Sequence, residues 1–92
     1  VKLPGAFEEK PRFVVPLYAV DANHHVNNVW YIRFALEYLP QGFQLKRLKV
    51  EYTHSARYRN VMVPHIHEEP GKFWVTLTDE AGKSYVNIEF SE

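Results

Sequence analysis

The chain has 92 residues, 46% of them hydrophobic and 24% charged, and no cysteine. That composition fits one ordinary globular domain and excludes disulfides, thiolate catalysis and thiolate metal sites. Eleven Lys and Arg balance eleven Asp and Glu, which argues against nucleic-acid or membrane-surface binding, and no stretch approaches the ~18 apolar residues of a membrane span.

Residues 1–11 hold Pro4, Gly5 and Pro11 around a charged Glu8-Glu9-Lys10. They read as an irregular lead-in, the end of an interdomain linker, ahead of a single domain over 12–92. Residues 12–20 are β-branched and aromatic and predict a strand, with Pro16 confined to an edge or a bulge because it has no N–H to donate. Residues 27–39 predict a helix. Val29, Ile32, Leu36 and Leu39 make one apolar row and Trp30, Phe34 and Tyr38 a second, so the helix should be buried around most of its circumference. Asn27 or Asn28 is a natural cap, and Pro40 with Gly42 ends the helix.

The remainder predicts strands. Leu48, Val50 and Tyr52 alternate with polar neighbours. A second run starts at Val61 and Val63, a third alternates through Phe73, Val75 and Leu77, and a fourth through Val86, Ile88 and Phe90. Short turns at 69–71 and 79–82 make the last three an antiparallel meander. The expected class is α+β: a curved antiparallel sheet wrapped around one central helix, the layout of a hot-dog domain. A chain this short buries only roughly 60–65% of its unfolded surface, and its sheet edges would be open, so a second domain or a second copy is expected to cover them.

Asp21, Asn23 and His25 lie between the first strand and the helix. If the segment stays extended, their side chains share one face. A carboxylate, an amide and an imidazole can then orient a water, take its proton and hold a carbonyl, with the helix N-terminus facing a developing oxyanion. The spacing equally suits a polar turn ending in a helix cap, and spacing alone does not separate the two.

The segment Asp21-Ala22-Asn23-His24-His25-Val26-Asn27-Asn28, followed by Tyr31 and by Leu36-Glu37-Tyr38-Leu39-Pro40, resembles the acyl-acyl-carrier-protein (acyl-ACP) thioesterases of bacteria and plants. Their pattern is D-x-N-x-H-V-N-N-x-x-Y with a later L-E-x-x-P. The likeness covers residues 12–60 well and the last strands in layout. That family is built of two tandem hot-dog domains with the motif in the C-terminal one. The resemblance therefore implies the catalytic half of a cytoplasmic, cofactor-free hydrolase of fatty acid biosynthesis. Its substrate would be the thioester that joins an acyl chain to the phosphopantetheine arm of acyl carrier protein. Carried over by position, Asp21, Asn23 and His25 are catalytic, and Asn27, Asn28, Trp30 and Tyr31 bind substrate. Hot-dog enzymes acting on coenzyme A esters share the shorter H-V-N-N-x-x-Y, which leaves an acyl-CoA thioesterase as the alternative, and a non-catalytic acyl-binding module as another. The plant enzymes carry Glu-Cys where this chain has Ser55 and Ala56, and many relatives carry an acid where it has Ala19. The missing cysteine favours water over a covalent nucleophile, and the two departures together leave a thinner catalytic set.

Three other features invite a function. Lys46, Arg47, Lys49, Arg57 and Arg59 face only Glu51 over residues 44–60, and Arg57 with Arg59 could dock an acidic carrier protein. His54 shares a strand face with Tyr52 and reads as a rim histidine. His65 and His67 point the same way but lack the further ligands that a metal needs, so no metal is expected.

Overall fold

All 92 residues are described in a computed structural model. The sheet has six strands: β1 (Glu8–Glu9), β2 (Phe13–Val14), β3 (Arg47–Tyr52), β4 (Val61–Glu69), β5 (Lys72–Thr78) and β6 (Ser84–Ser91). Its order is β1-β4-β5-β6-β3, all antiparallel, with β2 also on β4. One helix, α1 (Asn28–Leu36), packs on β5 and β6. The meander β4-β5-β6 follows from the short turns, and Gly71 and Gly82 take the positive φ angles (76° and 90°) that those turns need.

The inward face is the alternate set Phe73, Val75 and Leu77 on β5 with Val86, Ile88 and Phe90 on β6, all at 1% exposure or less. Against it the helix lays Tyr31 and Ala35. Each large side chain buried in this way contributes roughly 1.5–3 kcal/mol. Between Leu77 and Thr78 the register slips, so that Leu77 pairs with Val86 but Thr78 with Ser84. Tyr85 is the extra residue of this bulge, and its ring joins the core.

Three expectations need correcting. The strand over 12–20 breaks in two: β2 stops at Val14, and Leu17–Ala19 forms one 3₁₀ turn. Pro16 causes the break, since it cannot continue the ladder that Val15 still makes with Asn60 and Arg59. The lead-in is not wholly irregular. Glu8 and Glu9 pair with Ile66 and His65, and residues before them cross the outer face of the sheet. There the His67 ring lies between the Ala6 carbonyl (2.6 Å) and the Glu69 carboxylate (2.9 Å). Beneath this strap the outward residues Trp74, Thr76, Thr78, Asn87 and Glu89 are buried. They satisfy one another: Thr76 donates to Asn87 (3.0 Å), Asn87 to Glu51 (2.8 Å) and Trp74 to Glu89 (3.2 Å).

The third correction concerns the helix. It ends at Leu36, and its last turn tightens through Tyr38 to Ala35 and Leu39 to Leu36 bonds before Pro40. It is buried on one side only: Val29 is 53% and Leu36 40% exposed. One sheet can cover one side of a helix. On the sheet, Leu48 and Tyr52 of the edge strand β3 are likewise exposed, leaving an apolar helix flank and an unpaired strand edge without cover.

Candidate active site

Residues 20–26 do not run extended. Val20 pairs antiparallel with Val26, the Asp21 N–H donates to the His25 carbonyl at 2.9 Å, and the His24 N–H donates to the Asp21 carbonyl at 3.0 Å. This is a hairpin with a three-residue loop, Ala22-Asn23-His24, in which a tight turn is followed by one left-handed residue. His24 is that residue, at φ 65°, and histidine is among the few non-glycine types enriched there. Asp21 opens the turn, and its Oδ1 accepts the Asn23 N–H at 2.9 Å.

The alternation expected to gather Asp21, Asn23 and His25 is thus replaced by a turn. Asp21 and His25 close the hairpin directly opposite each other, joined through the backbone, and their side chains leave from one face without a hydrogen bond or ion pair between them. Asn23 sits exposed at the loop tip.

His25 has a second neighbour. It pairs antiparallel with Arg57, and the next residue, Val26, donates its N–H to the Ala56 carbonyl at 2.8 Å. Three short segments therefore lie side by side: 20–21, 25–26 and 56–57. One face carries Val20, Val26 and Ala56, with Val26 and Ala56 in the core. The other carries Asp21, His25 and Arg57 in a row, with Asp21 and Arg57 exposed and His25 partly so. Tyr31 locks this arrangement. Its buried hydroxyl accepts the Ala56 N–H at 2.9 Å, so both backbone groups of Ala56 are held. Burial pushes the Tyr31 phenol above its ordinary 10.0, and the Ala56 N–H offsets part of that rise.

The helix begins three residues after His25. Asn27 is the cap: its Oδ1 accepts the Val29 N–H at 3.0 Å, and its own N–H donates to the Ala19 carbonyl at 2.9 Å. The Asn28 N–H has no hydrogen-bond partner in the chain, so it is a free donor at the positive end of the helix. The Asn28 carbonyl accepts the Tyr52 hydroxyl at 3.2 Å.

Trp30 lies on the helix flank away from β3, stacked on Tyr18 (4.8 Å between centroids) and Phe34 (5.7 Å), with the Arg33 guanidinium 4.9 Å above it. These residues line an open groove of about 340 Å³. The largest concavity, about 530 Å³ between Pro40–Phe43 and Glu68–Gly71, contains none of residues 21–31 and, of the longer motif, only Pro40. Arg59, at φ 68°, holds its guanidinium 5.2 Å from the centre of the Tyr58 ring. His54 is a rim residue: its Nδ1 donates to the Ser84 carbonyl at 2.7 Å, and its ring stacks on Tyr85 at 4.4 Å. His65 is engaged by Thr78 at 3.0 Å.

Over residues 5–91 the sequence matches the acyl-ACP thioesterase C-terminal domain. The chain belongs to this family. The hot-dog fold is found with it. An acyl-ACP thioesterase from Bacteroides thetaiotaomicron superposes at a TM-score of 0.84 with 16% identity, covering 99% of this chain and 42% of that one. A 1,4-dihydroxy-2-naphthoyl-CoA thioesterase from Synechocystis superposes at 0.73 with 10% identity, covering 92% and 79%. A Staphylococcus aureus protein solved in complex with CoA superposes at 0.76 with 15% identity, covering 92% and 73%. The present chain spans less than half of the Bacteroides enzyme. No curated protein matches it.

The sequence carried no sign that Arg57 would sit opposite His25, or that Ala56 would be pinned from two sides. Thirty-two positions separate His25 from Arg57, and only the fold joins them. Tyr31 was legible as the Tyr of the motif and as a substrate-binding candidate, but its bond to Ala56 was not, and at 2% exposure it lies behind the site.

Proposed function

We propose that this domain is the catalytic half of an acyl-ACP thioesterase, which hydrolyses the thioester between an acyl chain and the phosphopantetheine arm of acyl carrier protein. The pairing of Asp21 with His25 across the mouth of the hairpin carries this reading. The carboxylate and the imidazole leave one face of the hairpin, out of the core, and the helix start with the free N–H of Asn28 follows three residues later. In the proposed reaction Asp21 and His25 activate a water for attack on the thioester carbonyl. Asn23 orients the substrate from the loop tip. The Asn28 N–H accepts the charge that develops on the carbonyl oxygen, and Asn27 fixes that N–H by capping the helix. Tyr31 acts from behind by holding Ala56, and Trp30 offers apolar surface to the acyl chain.

The exposed Val29, Leu36, Leu48 and Tyr52 and the open edge of β3 support a second hot-dog domain, or a second copy, as the cover that completes the acyl pocket. Exposed Arg59, beside Tyr58, suits an acidic carrier protein. Fatty acid biosynthesis is the setting this substrate implies.

The discriminating experiment is a substrate comparison with one preparation of the intact protein: the same acyl chain on carrier protein and on coenzyme A. The proposal expects a higher kcat/KM for the carrier-bound ester. A preference for the coenzyme A ester would move the protein to that class, and hydrolysis of neither would leave it an acyl-binding module.

A further inference from the structure

We infer that Arg57 is a further catalytic residue, whose guanidinium takes the thioester carbonyl oxygen as it becomes an oxyanion and then the carboxylate of the released fatty acid. The inference rests on the thioesterase reading, and it gives Arg57 a place that no motif assigns.

Three observations carry it. Arg57 is the direct cross-strand partner of His25. Opposed residues of an antiparallel pair have Cβ atoms roughly 4.5–5.5 Å apart on one face. The Arg57 backbone is also fixed: its N–H donates to Asn60 Oδ1 at 2.8 Å and its carbonyl accepts the Asn60 N–H at 3.0 Å, while Ala56 before it is held by Tyr31 and Val26. Finally, no carboxylate lies within ion-pair distance of its side chain, as is also true of Arg33, Arg47 and Arg59, and of these four arginines Arg57 alone pairs with His25. A permanently charged fork, unpaired and held on a fixed backbone beside the imidazole, is matched to an oxygen anion.

Distance argues against the other use of this charge, as a clamp on the phosphate of the pantetheine arm. Thirteen or so bonds separate that phosphorus from the sulfur, roughly 15 Å when extended at the ~1.1–1.2 Å per bond of an extended chain. The arginine reaches about five bonds from its Cβ, or roughly 6 Å on the same scale. Added to the cross-strand spacing, its fork stays within roughly 11 Å of the His25 Cβ. With the sulfur at His25, an extended arm carries its phosphate beyond Arg57, while the thioester carbonyl stays within its range.

The step balances without any other reactant. The water oxygen bonds to the carbonyl carbon and its proton passes to the Asp21–His25 pair. The carbonyl π pair moves onto oxygen opposite Arg57. That pair then re-forms the C=O bond as the C–S bond breaks, and the thiolate leaves with the proton from His25. The acid left behind gives its remaining proton to the Asp21–His25 pair, which releases it to solvent, and stays as a carboxylate at the same guanidinium.

The test uses the intact protein and two lauroyl thioesters, one on carrier protein and one on N-acetylcysteamine, which has no phosphate. Arg57→Gln should lower kcat roughly 100- to 1,000-fold on both, as removal of an oxyanion donor does, with Arg57→Lys in between. Laurate should also bind Arg57→Gln at least several-fold more weakly, with lauramide affinity unchanged. Turnover within twofold of wild type on both esters would overturn the inference, as would a loss confined to the carrier-bound ester. If the wild type cleaves neither ester, the thioesterase reading fails on its own account, and laurate binding decides: equal affinity in wild type and Arg57→Gln overturns the role of Arg57.

Discussion

Tyr31→Phe removes one oxygen atom from the centre of the site and little else. The ring keeps its packing, including the edge contact with Tyr52 at 5.8 Å. The lost atom is the acceptor of the Ala56 N–H, which stands 2.9 Å away beside a residue at 0% exposure. Water cannot replace it, so the N–H is left buried and unpaired, at a cost of about 1–3 kcal/mol. For a domain near this size each kcal/mol lowers the melting temperature by roughly 4–8 °C. The substitution should therefore depress Tm by about 4–24 °C. The same loss frees the segment that carries Arg57 opposite His25, so kcat should fall more than KM rises. Urea and thermal unfolding, followed by tryptophan fluorescence, check the first part, and steady-state kinetics well below the new Tm the second. Stability within about 0.5 kcal/mol of wild type would show that the Ala56 N–H finds another partner, and would remove Tyr31 as the pin of the site.

Other substitutions probe the hairpin, the cap and the buried phenols. His24→Gly should keep or raise the unfolding midpoint, because glycine takes φ 65° without strain, whereas His24→Val should cost roughly 1–2 kcal/mol. Equal stability of the two would remove the turn assignment. Asn27→Ala should lose about 1 kcal/mol by unpairing the Val29 N–H, and Asn27→Asp should restore it. Tyr31, Tyr38 and Tyr85 are all raised above 10.0, each chiefly by burial. The folded state then holds these protons more tightly than the unfolded chain does. Their contribution to stability is complete below pH 10 and drains away as pH rises through the folded values. Urea unfolding at about pH 9 and about pH 11 should show the loss, and Tyr31→Phe and Tyr85→Phe should each blunt it.

Much of the fold could be read directly because periodicity and turn chemistry agreed. Phe73, Val75 and Leu77 alternate, Val86, Ile88 and Phe90 alternate, and the glycines stand where the chain reverses. The helix was placed to within a residue at its start, because Asn27 is both cap and motif. Local rules failed where a distant part of the chain decided the outcome. Glu8 and Glu9 carry no strand signal, yet the free edge of β4 pairs with them. Trp74 and Asn87 alternate as a solvent face would, but the strap of residues 1–7 covers them. The helix looked buried all round because its sequence is apolar all round, but one sheet covers only one side of it. At the site, the residue types were legible and the geometry was not. The turn that Asp21 makes with Asn23 is the reading spacing had left open, and it is also what sets Asp21 opposite His25 across the hairpin.

The central claim is that the Asp21–His25 pair performs thioester hydrolysis. Turnover of an acyl-carrier-protein ester by the intact protein with Asp21→Asn, and separately with His25→Ala, tests it most directly. Both substitutions sit on exposed or partly exposed positions of the hairpin, so folding should survive and can be verified by circular dichroism. The account predicts that each loses about 10²- to 10⁴-fold in kcat, as expected for removal of a general acid–base group. Wild-type turnover in both variants would contradict it.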